Sequence, residues 1–213
     1  MTADERVARA RTRYELAVFG GDNSELDLAD RDLDAVEADV ALARGRIVHA
    51  RFLADRVANP AELDLFQRAV DGYVALGDIR GEAEARFWIG CYHQVVREDN
   101  EAAAPELERS RQLAIAAGDL LTVSYALRHL GFAAHMAGRT DEARTHFVES
   151  TRLRRELDFQ PGVAANLVGL AYLAAADGDR AQASTLLDEA ASIAEASGAH
   201  GILRIVEEAR AEI

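Results

Sequence analysis

The chain contains no lysine, and all 24 of its basic side chains are arginine. That absence excludes lysine Schiff-base chemistry, pyridoxal phosphate attachment and a Walker A phosphate loop. A single cysteine, Cys91, excludes an intrachain disulfide framework and a cysteine-rich metal site, and it fits a reducing, cytoplasmic setting. Three prolines in 213 residues are too few to punctuate an all-β fold. No uninterrupted apolar run reaches the roughly 18 residues that a membrane span needs. The start, Thr2-Ala3-Asp4-Glu5-Arg6, is acidic and polar rather than the basic lead-in of a signal segment. Positive charge is also in deficit, with 24 basic against 37 acidic residues and a net charge of -13. Nucleic acid and anionic membranes are therefore poor partners, because both select a basic surface.

What remains is rich in alanine and leucine, with 49% hydrophobic residues, enough to bury a core as one domain or one continuous stack of helices. Thr2 and Glu5 form a capping box for a first helix reaching about Phe19, where Gly20-Gly21 stops it. Residues 1–31 thus read as an N-terminal helix and loop. Residues 32–78 read as a divergent first helix pair. In its first helix Leu33, Val36, Val40, Ile47, Ala50 and Leu53 follow helical spacing, although Gly45 weakens the middle. Asn59-Pro60 opens its second helix, which carries Leu63, Phe66, Val70 and Tyr73 on one stripe and ends at Gly77-Asp78.

Beyond residue 78 the chain repeats itself. Ala103, Ala143 and Ala183 lie at one spacing, and Leu107, Phe147 and Leu187 share it. So do Ser110, Ser150 and Ala190, and likewise Leu113, Leu153 and Ile193. Columns recurring at a period of about 40 residues mark stacked supersecondary units, none of which can bury its apolar face alone. Residues 79–198 are read as three such units. Residues 199–213 form a C-terminal capping helix with Ile202, Ile205, Val206 and Ala209 on one face.

Leu127, Leu130, Gly131, Gly138, Ala143 and Phe147, followed by Leu167, Leu170, Ala171, Gly178, Ala183 and Leu187, resemble the tetratricopeptide-repeat pattern. The period is similar to that of the longer repeats in the helical arms of bacterial transcription activators. Ala134 and Ala174 stand where the family usually carries tyrosine, and Glu98-Asp99-Asn100 replaces the turn glycine of the first unit. The resemblance implies an all-α, right-handed α-solenoid of antiparallel helix pairs. It also implies a concave face, lined by the first helix of each pair, that holds a ligand.

On that reading Leu127, Leu130, Gly131 and Ala134 pack, while Tyr125, Arg128, Phe132 and His135 lie on a stripe well round the helix from them. One repeat earlier stand Trp88 and Tyr92, and one repeat later stands Tyr172. Tyr92, Phe132 and Tyr172 occupy one repeat position, in a chain with only 13 aromatic residues. The expected ligand-binding residues are therefore Trp88, Tyr92, Tyr125, Arg128, Phe132, His135 and Tyr172. The competing reading has these rings filling space between neighbouring helices, and Arg128 in a structural ion pair.

Catalytic and metal readings find less support. Cys91 and His93 point to opposite sides of a helix, and His129 and His135 miss the spacing that sets two ligands side by side. A Cys91–histidine pair between neighbouring helices stays open. Arg152, Arg154 and Arg155 beside Glu149 and Glu156 read as a solvated helix face. The function expected is that of an adaptor for a protein or peptide, with a small organic ligand as the alternative and an enzyme using Cys91 as a lesser one. No cofactor or metal is expected, and self-association is left open.

Overall fold

The computed structural model describes residues 2–213, and among them the chain is all-α, with ten α-helices, one π-helical turn and no strand. The helices are α1 (Ala3–Gly20), α2 (Leu26–Asp55), α3 (Ala61–Leu76), α4 (Ile79–Cys91), α5 (Asn100–Ala117), α6 (Leu120–Met136), α7 (Thr140–Glu156), α8 (Gln160–Ala176), α9 (Arg180–Ala196) and α10 (His200–Glu212). The π turn, Tyr92–Val96, follows α4 directly. The chain divides within α5 into two compact units, one ending at Glu106 and one beginning at Leu107.

In the first unit the capping box at Thr2 and Glu5 is present, and α1 runs one residue past Phe19 before Gly21 turns left-handed. Consecutive helices pack against one another: α1 on α2, α2 on α3, and α3 on α4. The shared core comprises Leu42, Phe66, Val70, Tyr73 and Ile89 with the small residues Ala38, Ala41, Ala69 and Ala85. Gly45 has a role that propensity alone conceals. A Cβ there would sit 2.4 Å from the Phe66 ring, so the missing side chain is what lets α3 lie close to α2.

In the second unit α6 pairs with α7, α8 with α9, and α10 lies against both α8 and α9. The repeat columns are its interior. Ala143, Ala183, Phe147, Leu187, Ser150, Ala190 and Leu153 are all buried, while Ile193 is half-buried. Along this stretch, residues with positive φ recur every 20 positions: Gly118, Gly138, Asp158, Gly178 and Gly198. Each ends a helix. Helices α6 to α9 are each 17 residues long, so a left-handed residue at every twentieth position reverses the chain at a fixed register. Asp119 and Asp179 then cap α6 and α9 by accepting hydrogen bonds from the Thr122 and Gln182 amides at 3.2 and 2.9 Å.

Candidate functional site

In the second unit α6 touches α8, and α8 touches α10. On α6 the packing stripe lies where the spacing puts it, with Leu127, Gly131 and Ala134 buried and Leu130 half-buried. Phe132 points the other way and is 46% exposed, and Met136, one helical turn on, is 62% exposed. His135 beside them is half-buried.

The other expected residues are tied into the fold to different degrees. The Tyr172 hydroxyl donates to Glu212 Oε2 at 2.7 Å, fastening α8 to α10. Burial and this bond to a carboxylate push its pKa up to about 12. Arg128 reaches across to α8, where Nη1 donates to the Ala165 carbonyl at 2.7 Å and to Asn166 Oδ1 at 3.3 Å. Tyr125 packs edge-on against Phe159 with ring centroids 5.8 Å apart, and its ring covers the Arg154 guanidinium.

Arg154 corrects the sequence reading. Arg152 does form a solvated cluster with Glu149 and Glu156, and Arg155 pairs with Glu189, but Arg154 is only 1% exposed. Successive helical residues turn by about 100°, so neighbours in sequence do not share a face. The Arg154 side chain enters the space between α6, α7 and α8. Its Nη1 donates to the Gly162 carbonyl at 2.8 Å and to Asn166 Oδ1 at 3.0 Å. Asn166 Nδ2 in turn donates to Ser150 Oγ, which donates to the Ser124 carbonyl at 2.6 Å. The charged and polar neighbours that act on the guanidinium include Arg128 and Tyr125 and no carboxylate, and its Nη2 is buried without a hydrogen-bond partner. Desolvation, with Arg128 nearby, lowers its pKa to about 9.

In the first unit Trp88 is half-buried and packs against the core, stacked on Phe66 at 5.7 Å and edge-on to Phe87 at 5.2 Å. Tyr92 is half-buried beside His93, with ring centroids 5.5 Å apart. Sequence reasoning missed His49 and Glu62, both buried, which the fold brings together with Cys91. His49 Nδ1 lies 2.8 Å from Glu62 Oε1, and His49 Nε2 lies 3.7 Å from Cys91 Sγ. The three residues come from α2, α3 and α4, so no local motif announces them. A groove of about 220 Å³ elsewhere in this unit is lined by Val36, Val40, Ala41, Leu65, Arg44 and Arg68, none of them an expected site residue.

Paired helices of fixed length, reversed at left-handed turns and packed through a column of small residues, define a helical-repeat protein. Residues 122–196 match the family model of the tetratricopeptide repeat, so this stretch of the chain carries tetratricopeptide repeats. No curated protein matches the chain. Repeats of this family generally mediate contacts between proteins, which supports a binding role. Among the described residues no helix is long and apolar enough to cross a membrane.

Proposed function

We propose that the chain is an adaptor that recognises a protein or peptide partner on the face formed by α6 and α8, with Phe132 as the central anchor. The observation that carries this reading is the exposed Phe132 ring on a helix whose neighbouring residues Gly131, Ala133 and Ala134 are buried. An aromatic ring held in solvent by a rigid helix offers large contact area at little conformational cost. Met136 extends the apolar patch with an adaptable side chain, and Tyr125, Arg128, His135 and Tyr172 are proposed to contribute to the same surface. In the first unit, Trp88 and Tyr92 occupy the equivalent repeat positions and are proposed to serve the same kind of surface. The net charge of -13 favours a cationic partner, since charge complementarity steers association. The 20-residue spacing of the turns supports the longer-period variety of the repeat.

The test is Phe132→Ala. Truncating the anchor removes roughly 1 to 3 kcal/mol of affinity for the partner that co-purifies, as read by calorimetric titration. Thermal stability stays within about 0.5 kcal/mol, because the ring is not in the core. Loss of stability with unchanged affinity overturns the assignment.

A further inference from the structure

The first unit contains a chain of contacts that a binding role does not use. We propose that Cys91 is an activated thiol that reacts with a small hydroperoxide, with His49 as its proton acceptor and Glu62 as the group that orients His49. Glu62 is 0% exposed, and His49 and Cys91 are each 4% exposed. A carboxylate only accepts hydrogen bonds, so Glu62 Oε1, 2.8 Å away, fixes the proton of the neutral imidazole on Nδ1. Nε2 is then left with its lone pair towards the thiol at 3.7 Å. Nucleophile, base and orienting carboxylate thus stand in line, the arrangement that activates cysteine and serine nucleophiles on unrelated folds. Transfer of the thiol proton to Nε2 leaves a thiolate beside an imidazolium whose charge rests against Glu62.

Two further atoms point to a ligand. Glu62 Oε2 and the indole Nε1 of Trp88 are buried with no hydrogen-bond partner. The Trp88 ring lies edge-on to His49, with centroids 5.4 Å apart. Buried polar groups are ordinarily satisfied, so an acceptor and a donor left over around one histidine call for a small molecule that can both donate and accept. Water and hydrogen peroxide both meet that requirement, and of the two only the peroxide can oxidise the thiol. Phe52 and Trp88 beside His49, with Phe66 stacked on Trp88, make the surroundings apolar and select against bulky or charged oxidants. Arg46, which pairs with Glu84, sits over the Trp88 indole.

In the reaction the Cys91 thiolate attacks one peroxide oxygen. A sulfur–oxygen bond forms, the oxygen–oxygen bond breaks, and the departing hydroxide takes the proton from His49 Nε2 to become water. One thiol and one hydrogen peroxide give one sulfenic acid and one water; sulfur is oxidised and the peroxide is reduced. Because Cys91 is the only cysteine, no intrachain disulfide can resolve the product. An external thiol must reduce it.

The experiment exposes the full chain to hydrogen peroxide and follows Cys91 sulfenic acid by dimedone trapping and mass spectrometry. The folded chain is expected to react at least about tenfold faster than the same chain unfolded in urea. A merely buried thiol gives the opposite result, with the folded chain slower, and that outcome overturns the proposal without any variant. Glu62→Gln, nearly isosteric, keeps an acceptor at Nδ1 but removes the balancing charge, and should slow the folded protein about tenfold. His49→Gln should slow it further. If both variants melt and give circular-dichroism spectra like the wild type yet react at its rate, the triad does not activate Cys91.

Discussion

Each unit buries a polar cluster between three of its helices, and these two clusters are opposite in character. In the first unit the cluster is acidic at its root, with Glu62 holding His49 and leaving one carboxylate oxygen without a partner. In the second it is basic, with Arg154 holding Asn166 and the Gly162 carbonyl and leaving one guanidinium nitrogen without a partner. The difference follows the architecture. The regular 17-residue helices of the second unit enclose their cation in a network of amide, hydroxyl and carbonyl groups that fixes how α6, α7 and α8 meet. The first unit has a 30-residue α2 and a π turn directly after Cys91, and there the buried groups are a carboxylate, an imidazole and a thiol. Uniform repeats give polar groups a structural task, whereas departures from uniformity free them for chemistry.

Arg154→Met is the sharpest way to break the contrast and carries the largest expected effect on stability. It leaves the Gly162 carbonyl without that donor and relieves only part of the cost of burying a charge, so the net loss should be about 2 kcal/mol in urea denaturation. Glu62→Gln should lose under about 1 kcal/mol, because the contact to His49 can persist. Increased stability of Arg154→Met would show that desolvation of the guanidinium outweighs its hydrogen bonds.

A smaller effect is expected at Asp158, the one residue of the 20-position turn series in the second unit that is not glycine. Its φ of 52° places an L side chain in the left-handed region. Asp158→Gly should stabilise by roughly 0.5 to 1 kcal/mol, and an unchanged urea midpoint would mean that the bond from Gln160 to its carboxylate offsets the strain.

The smallest effect compares two tyrosines. Tyr73 donates to Asp39 in the first unit, and Tyr172 donates to Glu212 in the second. Burial and an adjacent carboxylate raise both above the ordinary value of 10.0, Tyr172 to about 12 and Tyr73 further. A phenol whose folded pKa is raised contributes stability that is fully present below pH 10 and fades as pH rises through its folded value. The Tyr172 share should therefore disappear towards pH 12 while that of Tyr73 persists. Absorbance titration of tyrosinate beside thermal melts tests this. Tyr172→Phe should flatten the decline, and a variant with an unchanged slope would show that the Glu212 contact contributes nothing.

The fold was legible because its determinants are periodic. The alanine, leucine and serine columns at Ala143, Phe147 and Ser150 recur in sequence for the same reason that they are buried in the structure. Glycine at 138 and 178 announces a left-handed turn, whereas Asp158 does the same work without announcing it. Arg154 was illegible because it keeps company in sequence with solvated arginines that lie on another face of α7. His49, Glu62 and Cys91 were illegible for a different reason. They are 13 and 42 residues apart, and only the packing of three helices makes them neighbours. Phe132 lies between these cases: its spacing predicts a ring turned away from the packing stripe, and its exposure is that of such a ring.

The turn positions of the second unit have one more consequence. Because a 17-residue helix rises about 25 Å, successive reversals alternate between two opposite edges. Gly138 and Gly178 fall on one edge, and Gly118, Asp158 and Gly198 on the other. Insertions at one set would project together from one rim, and those at the other set from the opposite rim, without shifting any helix along its axis. The unit therefore presents two separately editable margins, each suited to grafting a loop of foreign sequence while the face between them is left alone.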